Sequence, residues 1–73
     1  MAEHKVASEI TGTVWKVLVK EGDAVKEGDP VIVIESMKME IEITAPADGT
    51  VKTVSVAQGD AIAEGDIPVV IAG

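Results

Sequence analysis

The sequence predicts an all-β fold of eight short strands, and three observations lead there. Of 73 residues, 25 are Val, Ile or Thr, against one Leu, one Trp and no Phe or Tyr, a composition that suits a pleated, half-buried surface better than a helix. The chain also repeats itself: shifted by 37 positions, residues 11–29 fall on 48–66, and 11 of the 19 pairs are identical. Finally, Gly-Asp pairs punctuate both copies at 22–23, 28–29, 59–60 and 65–66, where Gly supplies positive φ and Asp a side chain that bonds nearby backbone donors.

The same shift lays Val6 on Ile43 and Ile32, Val33 and Ile34 on Val69, Val70 and Ile71, so each copy spans about 32 residues, from 5 to 36 and from 42 to 73. Two copies fill one domain, 1–73, and must share one core. In the first copy the apolar pattern places strands near residues 5 to 8, 12 to 20, 24 to 26 and 31 to 36. Val17 and Val19 alternate with an outward Leu18, but Val14 lies three residues before Val17. Period two therefore breaks, and a bulge or bend is expected at Trp15-Lys16 and, in the second copy, at Lys52-Thr53. Trp15, whose counterpart is Lys52, is expected on an outer face beside that bend. His4 falls in a polar leader and is expected to be disordered. The Gly-Asp pairs are read as turns rather than metal or phosphate sites.

Charge and length narrow the function. With 6 basic against 13 acidic residues the net charge is −7, which repels nucleic-acid phosphates and anionic lipid. The longest apolar run, Val31 to Ile34, is far short of a membrane span, and Met1-Ala2-Glu3-His4-Lys5 lacks the apolar segment of a signal peptide. A soluble cytoplasmic protein is expected, monomeric as an isolated domain, with neither a nucleic acid nor a membrane as partner. There is no Cys and no Cys/His cluster to hold zinc.

One place carries chemistry. At the junction of the copies the chain reads Glu35-Ser36-Met37-Lys38-Met39-Glu40. Hairpin tips favour Gly, Asn and Asp, and none is present here. An acyl-accepting lysine needs exposure and, at the moment of attack, a neutral amine, whereas an unperturbed lysine titrates at about 10.4. No histidine is near in sequence, so deprotonation is left to another enzyme: the site reads as a substrate of modification, not a catalyst. A pseudo-twofold relation between the copies further places this tip and the chain termini at opposite poles.

Across nearly all of its length the chain resembles the biotinyl/lipoyl attachment domains, specifically the biotin carboxyl carriers. The resemblance rests on residues 35–40 as the biotinylation motif, on Ala45-Pro46-Ala47-Asp48-Gly49 leading into the second half, and on both Val-x-x-Gly-Asp repeats. It implies a flattened eight-stranded barrel-sandwich of two four-stranded antiparallel sheets with pseudo-twofold symmetry. It implies covalent biotin on Lys38, attached by a biotin protein ligase that uses a biotinyl-adenylate, and carriage of carboxyl groups between a biotin carboxylase and a carboxyltransferase. Met37 and Met39 are then either caps over the open barrel end or the surface the ligase reads, with Glu35, Ser36 and Glu40 as further recognition candidates. Residues 19–24 leave no room for the thumb loop of one type of acetyl-CoA carboxylase carrier, and there is no Ala/Pro-rich leader. The chain is thus more similar to stand-alone attachment proteins and to C-terminal carrier domains of multifunctional carboxylases, with Met1 favouring the former.

Three rival readings remain. A lipoyl carrier domain of a 2-oxoacid dehydrogenase shares the fold, but that family favours Asp before the lysine and a small residue after it. An unmodified barrel-sandwich interaction module keeps the duplication without a Met-Lys-Met tip. An enzyme with Lys38 as a Schiff-base nucleophile needs that lysine buried in a pocket.

Overall fold

The structure, a computed structural model, describes residues 3–73. Its eight strands are β1 (Glu3–Val6), β2 (Gly12–Val17), β3 (Ala24–Val25), β4 (Pro30–Ser36), β5 (Met39–Thr44), β6 (Gly49–Val54), β7 (Ala61–Ile62) and β8 (Val69–Ala72). They form two four-stranded antiparallel sheets, ordered β1-β8-β6-β3 and β5-β4-β2-β7. Advancing every strand of the first copy by four converts one order into the other, which is the pseudo-twofold expected from the repeat. Each sheet contains two strands from each copy. Neither copy has a sheet of its own.

The core between the sheets is aliphatic, built on Val6, Val14, Val25, Val31, Ile32, Ile34, Val51, Ile62, Val69 and Ile71. Branched side chains suit it because both contributing faces are pleated and each χ1 is nearly fixed by the strand itself. No buried side-chain nitrogen or oxygen among the described residues lacks a hydrogen-bond partner. Buried Ser8 bonds through its hydroxyl to the Ile10 carbonyl at 2.7 Å.

The expected bulges are present. The β2–β4 register shifts between Val14 and Lys16, and the β6–β8 register shifts at the equivalent place between Val51 and Thr53. The extra residue in each case, Trp15 and Lys52, is exposed, so the bulge keeps valines on both sides of it turned inward. Three expectations need correction. The first strand is Glu3–Val6 rather than 5 to 8, because its ladder is set by β8, with Glu3 opposite Ala72 and Val6 opposite Val69. His4 accordingly is not a disordered leader residue; it pairs with Ile71 inside β1. Met1 and Ala2 lie outside the described residues. The second strand also stops early, at Val17, although the Leu18 amide still bonds the Val31 carbonyl at 2.9 Å.

Each Gly-Asp turn is held from two directions. Within the turn the Asp carboxylate accepts the amide three residues earlier, as Asp29 does from Lys26 at 3.0 Å and Asp66 from Ala63 at 2.9 Å. From outside, the other copy grips it: the Gly28 amide donates to Ala45 and Ala45 returns a bond to Asp29, while Gly65 and Asp66 make the same pair of bonds with Ser8. Even the unlike pair Thr11/Asp48 does one job, since Asp48 accepts the Glu27 amide and Thr11 accepts the Glu64 amide.

Gly28 and Gly65 sit at φ of 90° and 93°, with open space where a Cβ would point. The cost of Ala there is conformational, about 1 to 2 kcal/mol. Gly28→Ala and Gly65→Ala are each expected to lower the melting temperature by roughly 4–8 °C per kcal/mol for a domain of this size, with strand content by circular dichroism unchanged. An unchanged melting temperature for both would reject the paired-turn account.

Candidate functional site

Every connection between consecutive strands crosses from one sheet to the other except one. Only β4 and β5 are neighbours both in sequence and in a sheet, so the 37–38 turn is the sole hairpin among the described strands. The ladder runs without interruption to its tip, pairing Val33 with Glu42, Ile34 with Ile41, Glu35 with Glu40 and Ser36 with Met39. Met37 and Lys38 then reverse the chain at φ of 53° and 65°. Two consecutive residues at positive φ are what a two-residue hairpin needs to match the strand twist. Neither residue type favours that region, at a cost on the order of 1–2 kcal/mol each. The turn is imposed by the core-facing strands on either side, not by its own residues.

The base of the tip is braced. The Ser36 hydroxyl donates to the Thr11 carbonyl at 3.0 Å. Directly beneath, Gly12 of β2 passes so close to β4 that a Cβ would stand 2.5 Å from the Glu35 carbonyl oxygen and 2.9 Å from Ile34. Sequence reasoning gave Gly12 no role at the site. The available signal was its identity with Gly49, a glycine pair outside the Gly-Asp turns, and Gly49 meets Ala72 and Ile71 in the same way.

Above this mount the side chains are free. Lys38 is exposed, and Met37 and Met39 are 92% and 63% exposed. The two methionines therefore do not cap the barrel end, because a cap would be buried against the core. Glu35 and Glu40 stand directly opposite each other and are both exposed. The structure thus brings Glu35, Met37, Lys38, Met39 and Glu40 together as one exposed surface, with Ser36 turned to bracing. His4, the only histidine in the chain, belongs to the other sheet. Lys38 is exposed and is not among the residues lining two surface grooves of the described structure, whereas a Schiff-base nucleophile needs burial in a pocket. Among the described residues no group of His, Asp or Glu is placed to hold a metal, and no helix is long and apolar enough to cross a membrane.

Fold and site together define a duplicated barrel-sandwich domain whose single hairpin presents a lysine. A family model described as "Biotin-requiring enzyme" matches residues 4–71, and the chain belongs to that family. Among curated relatives, it is 51% identical over 43 residues to the biotin carboxyl carrier protein of acetyl-CoA carboxylase from Solanum lycopersicum, covering 59% of this chain and 61% of that one. Among solved structures, the Kluyveromyces lactis urea carboxylase superposes with a TM-score of 0.92 at 38% identity, over 99% of this chain and 6% of that one. The lipoyl domain of the Azotobacter vinelandii 2-oxoglutarate dehydrogenase complex superposes with a TM-score of 0.76 at 27% identity, over the whole of this chain and 98% of that one. The chain spans less than two thirds of the length of the first curated relatives it matches.

The strained tip can be tested by itself. Asn tolerates the left-handed region where Met does not. Met37→Asn is expected to stabilise the domain by about 1 kcal/mol, read as a rise in melting temperature. A fall would show that Met37 makes a contact its exposure denies.

Proposed function

We propose that this domain is a biotin carboxyl carrier in which Lys38 is the attachment residue. The observation that carries the reading is the tip itself: one lysine, exposed between two exposed methionines, on the sole hairpin of a doubly braced mount. The biotin carrier named for the tomato relative supports it, as does the family description. The domain acts as a non-catalytic carrier. Its partners on this reading are a biotin protein ligase, a biotin carboxylase and a carboxyltransferase.

The residues fit an amide-linked group. Lys38 is exposed at the tip with no salt-bridge partner among the described residues, so a ligase can enclose it. Deprotonated there, Nζ attacks the activated carboxyl of biotin; the new N–C bond forms as adenylate leaves, and the proton passes to the ligase or to water. The bound group supplies a ureido nitrogen that accepts and releases a carboxyl group. This chain's contribution is positional. The β4–β5 ladder, Ser36 and the close passage of Gly12 hold the attachment point still, so that all motion is left to the arm. The twofold that exchanges the copies carries the tip onto the paired chain ends, Glu3 beside Ala72, which supports a tip that faces partners while the ends face away.

Two measurements test this. Lys38→Arg is expected to abolish streptavidin capture after treatment with ligase, ATP and biotin, leaving the other five lysines unmodified. The unaltered domain should move on a native gel from a formal charge of −7 to −8 as the ammonium becomes an amide; capture of the variant would overturn the assignment. For the choice of group, Met37→Asp with Met39→Ala is expected to slow biotinylation and raise acceptance by a lipoate ligase, with no fall in melting temperature, because both side chains are exposed and Asp tolerates the left-handed region at 37. Unchanged rates with both ligases would remove the methionines from recognition.

A further inference from the structure

The two outer faces of the molecule are built from equivalent positions but carry different side chains. On the sheet that carries the chain ends, Lys52 fills the bulge position and its ammonium bonds the Glu3 carboxylate of β1, the one ion pair among the described residues. That bond holds the Glu3 carboxyl below the usual carboxylate range. On the sheet that carries the tip, the position of Lys52 is taken by Trp15 and that of Glu3 by Glu40. The internal cation is gone, and its carboxylate partner remains. In the same comparison Glu42 stands at the position of Lys5, Leu18 at that of Ser55 and Lys16 at that of Thr53, so this face has acid and hydrocarbon where the other has lysine and serine, and a lysine where the other has threonine.

The result is a groove of ≈ 700 Å³ along the outside of the tip sheet. Trp15, Lys16 and Leu18 line it from the β2 side and Glu40, Ile41 and Glu42 from β5, with Val33 of the intervening β4 between them. Trp15 and Leu18 are 36% and 44% exposed. Lys16, the remaining cation on this side, lies over the Trp15 ring with its ammonium 4.6 Å from the centroid, and it makes no ion pair with either glutamate. Glu35, opposite Glu40 on the same face, adds a third carboxylate, and like charges set directly across a ladder repel. A surface that keeps that repulsion beside an exposed indole is complementary to an apolar side chain flanked by lysine or arginine.

We infer that this groove is a docking surface for a protein, and that the protein is the enzyme that acylates Lys38; this rests on the function proposed above. The groove begins one residue below the tip at Glu40 and extends to Glu42, about 13 Å from Lys38 along the strand. An enzyme that reacts at Nζ itself must fix the mount, because the amine is only one side chain away from it. Enzymes that meet a group at the end of a long mobile arm gain little from gripping the mount so tightly. The occupant therefore offers an apolar residue to Trp15 and Leu18 and a basic one to Glu40 and Glu42.

The repeat supplies the variants. Trp15→Lys with Leu18→Ser gives this face the residues of the other, and Lys52→Trp with Ser55→Leu does the reverse on the far sheet as a control. With purified biotin protein ligase, ATP and biotin, the first pair is expected to raise KM for the domain about tenfold or more with kcat within twofold, and the control pair to change neither. Glu42→Lys, at an exposed position outside the core, is expected to raise KM likewise and to flatten its rise with added salt. This variant keeps the test open should the Trp15 replacement disturb packing over Val33, which thermal melting would reveal. KM within twofold for Glu42→Lys and for a folded Trp15→Lys/Leu18→Ser protein, an equal rise in the control, or a second copy occupying the groove in sedimentation of the isolated domain would each overturn the inference. If the unaltered domain takes up no biotin, the proposed function falls and the inference with it; if it is biotinylated and the variants match it, only the groove falls.

Discussion

Neither repeat completes a sheet without the other, and that mutual dependence organises the rest of the structure. The ladder order interleaves the copies, so each sheet is completed only by strands from both. The turns follow the same rule. Gly28 of the first copy is tied to Ala45 of the second, Gly65 of the second to Ser8 of the first, and Gly22 and Gly59 reach across to Val51 and Val14 in the same manner. A chain this short buries too little apolar surface for two independent cores. Reciprocal backbone bonds across a shared core achieve the cooperativity that size cannot provide, without disulfide or aromatic packing.

From this frame the tip acquires its rigidity. Met37 and Lys38 occupy a backbone region that each would avoid in isolation. They stay there because Ser36 and Met39 are already paired, Ile34 and Ile41 are paired below them, and Gly12 lets β2 press against β4 from the side. Strain at a functional position persists only where its surroundings over-determine it, and here the surroundings are the most extensive ladder in the protein. The electrostatic counterpart is the outer face, where Lys52 and Glu3 pair on one sheet while the equivalent positions on the other hold Trp15 and Glu40.

Much of this was legible in the residues. The spacing of Val14 and Val17 located both bulges, because two inward valines three positions apart require an extra residue between them. The Gly-Asp pairs located four turns, since glycine at positive φ beside a carboxylate acceptor has a direct physical meaning. The start of β1 was misplaced because apolar pattern marks what is buried, whereas a strand's extent is set by its partner: polar Glu3 and His4 are strand because β8 is there to pair with them. The left-handed tip was hidden for a related reason, as local preference pointed away from it and tertiary pairing prevailed. Gly12 was overlooked because a close approach between two strands leaves no trace in the periodicity of either one.

The neighbouring ends of β1 and β8 make the path of the backbone close to a ring, interrupted at one corner. A ring of two equal arcs has two equivalent corners: at one Glu3 pairs with Ala72, and the other is closed by the two-residue turn Met37-Lys38. That turn lies between the two copies and belongs to neither. Its residues answer to no counterpart, so their identity was free to be settled by something outside the molecule.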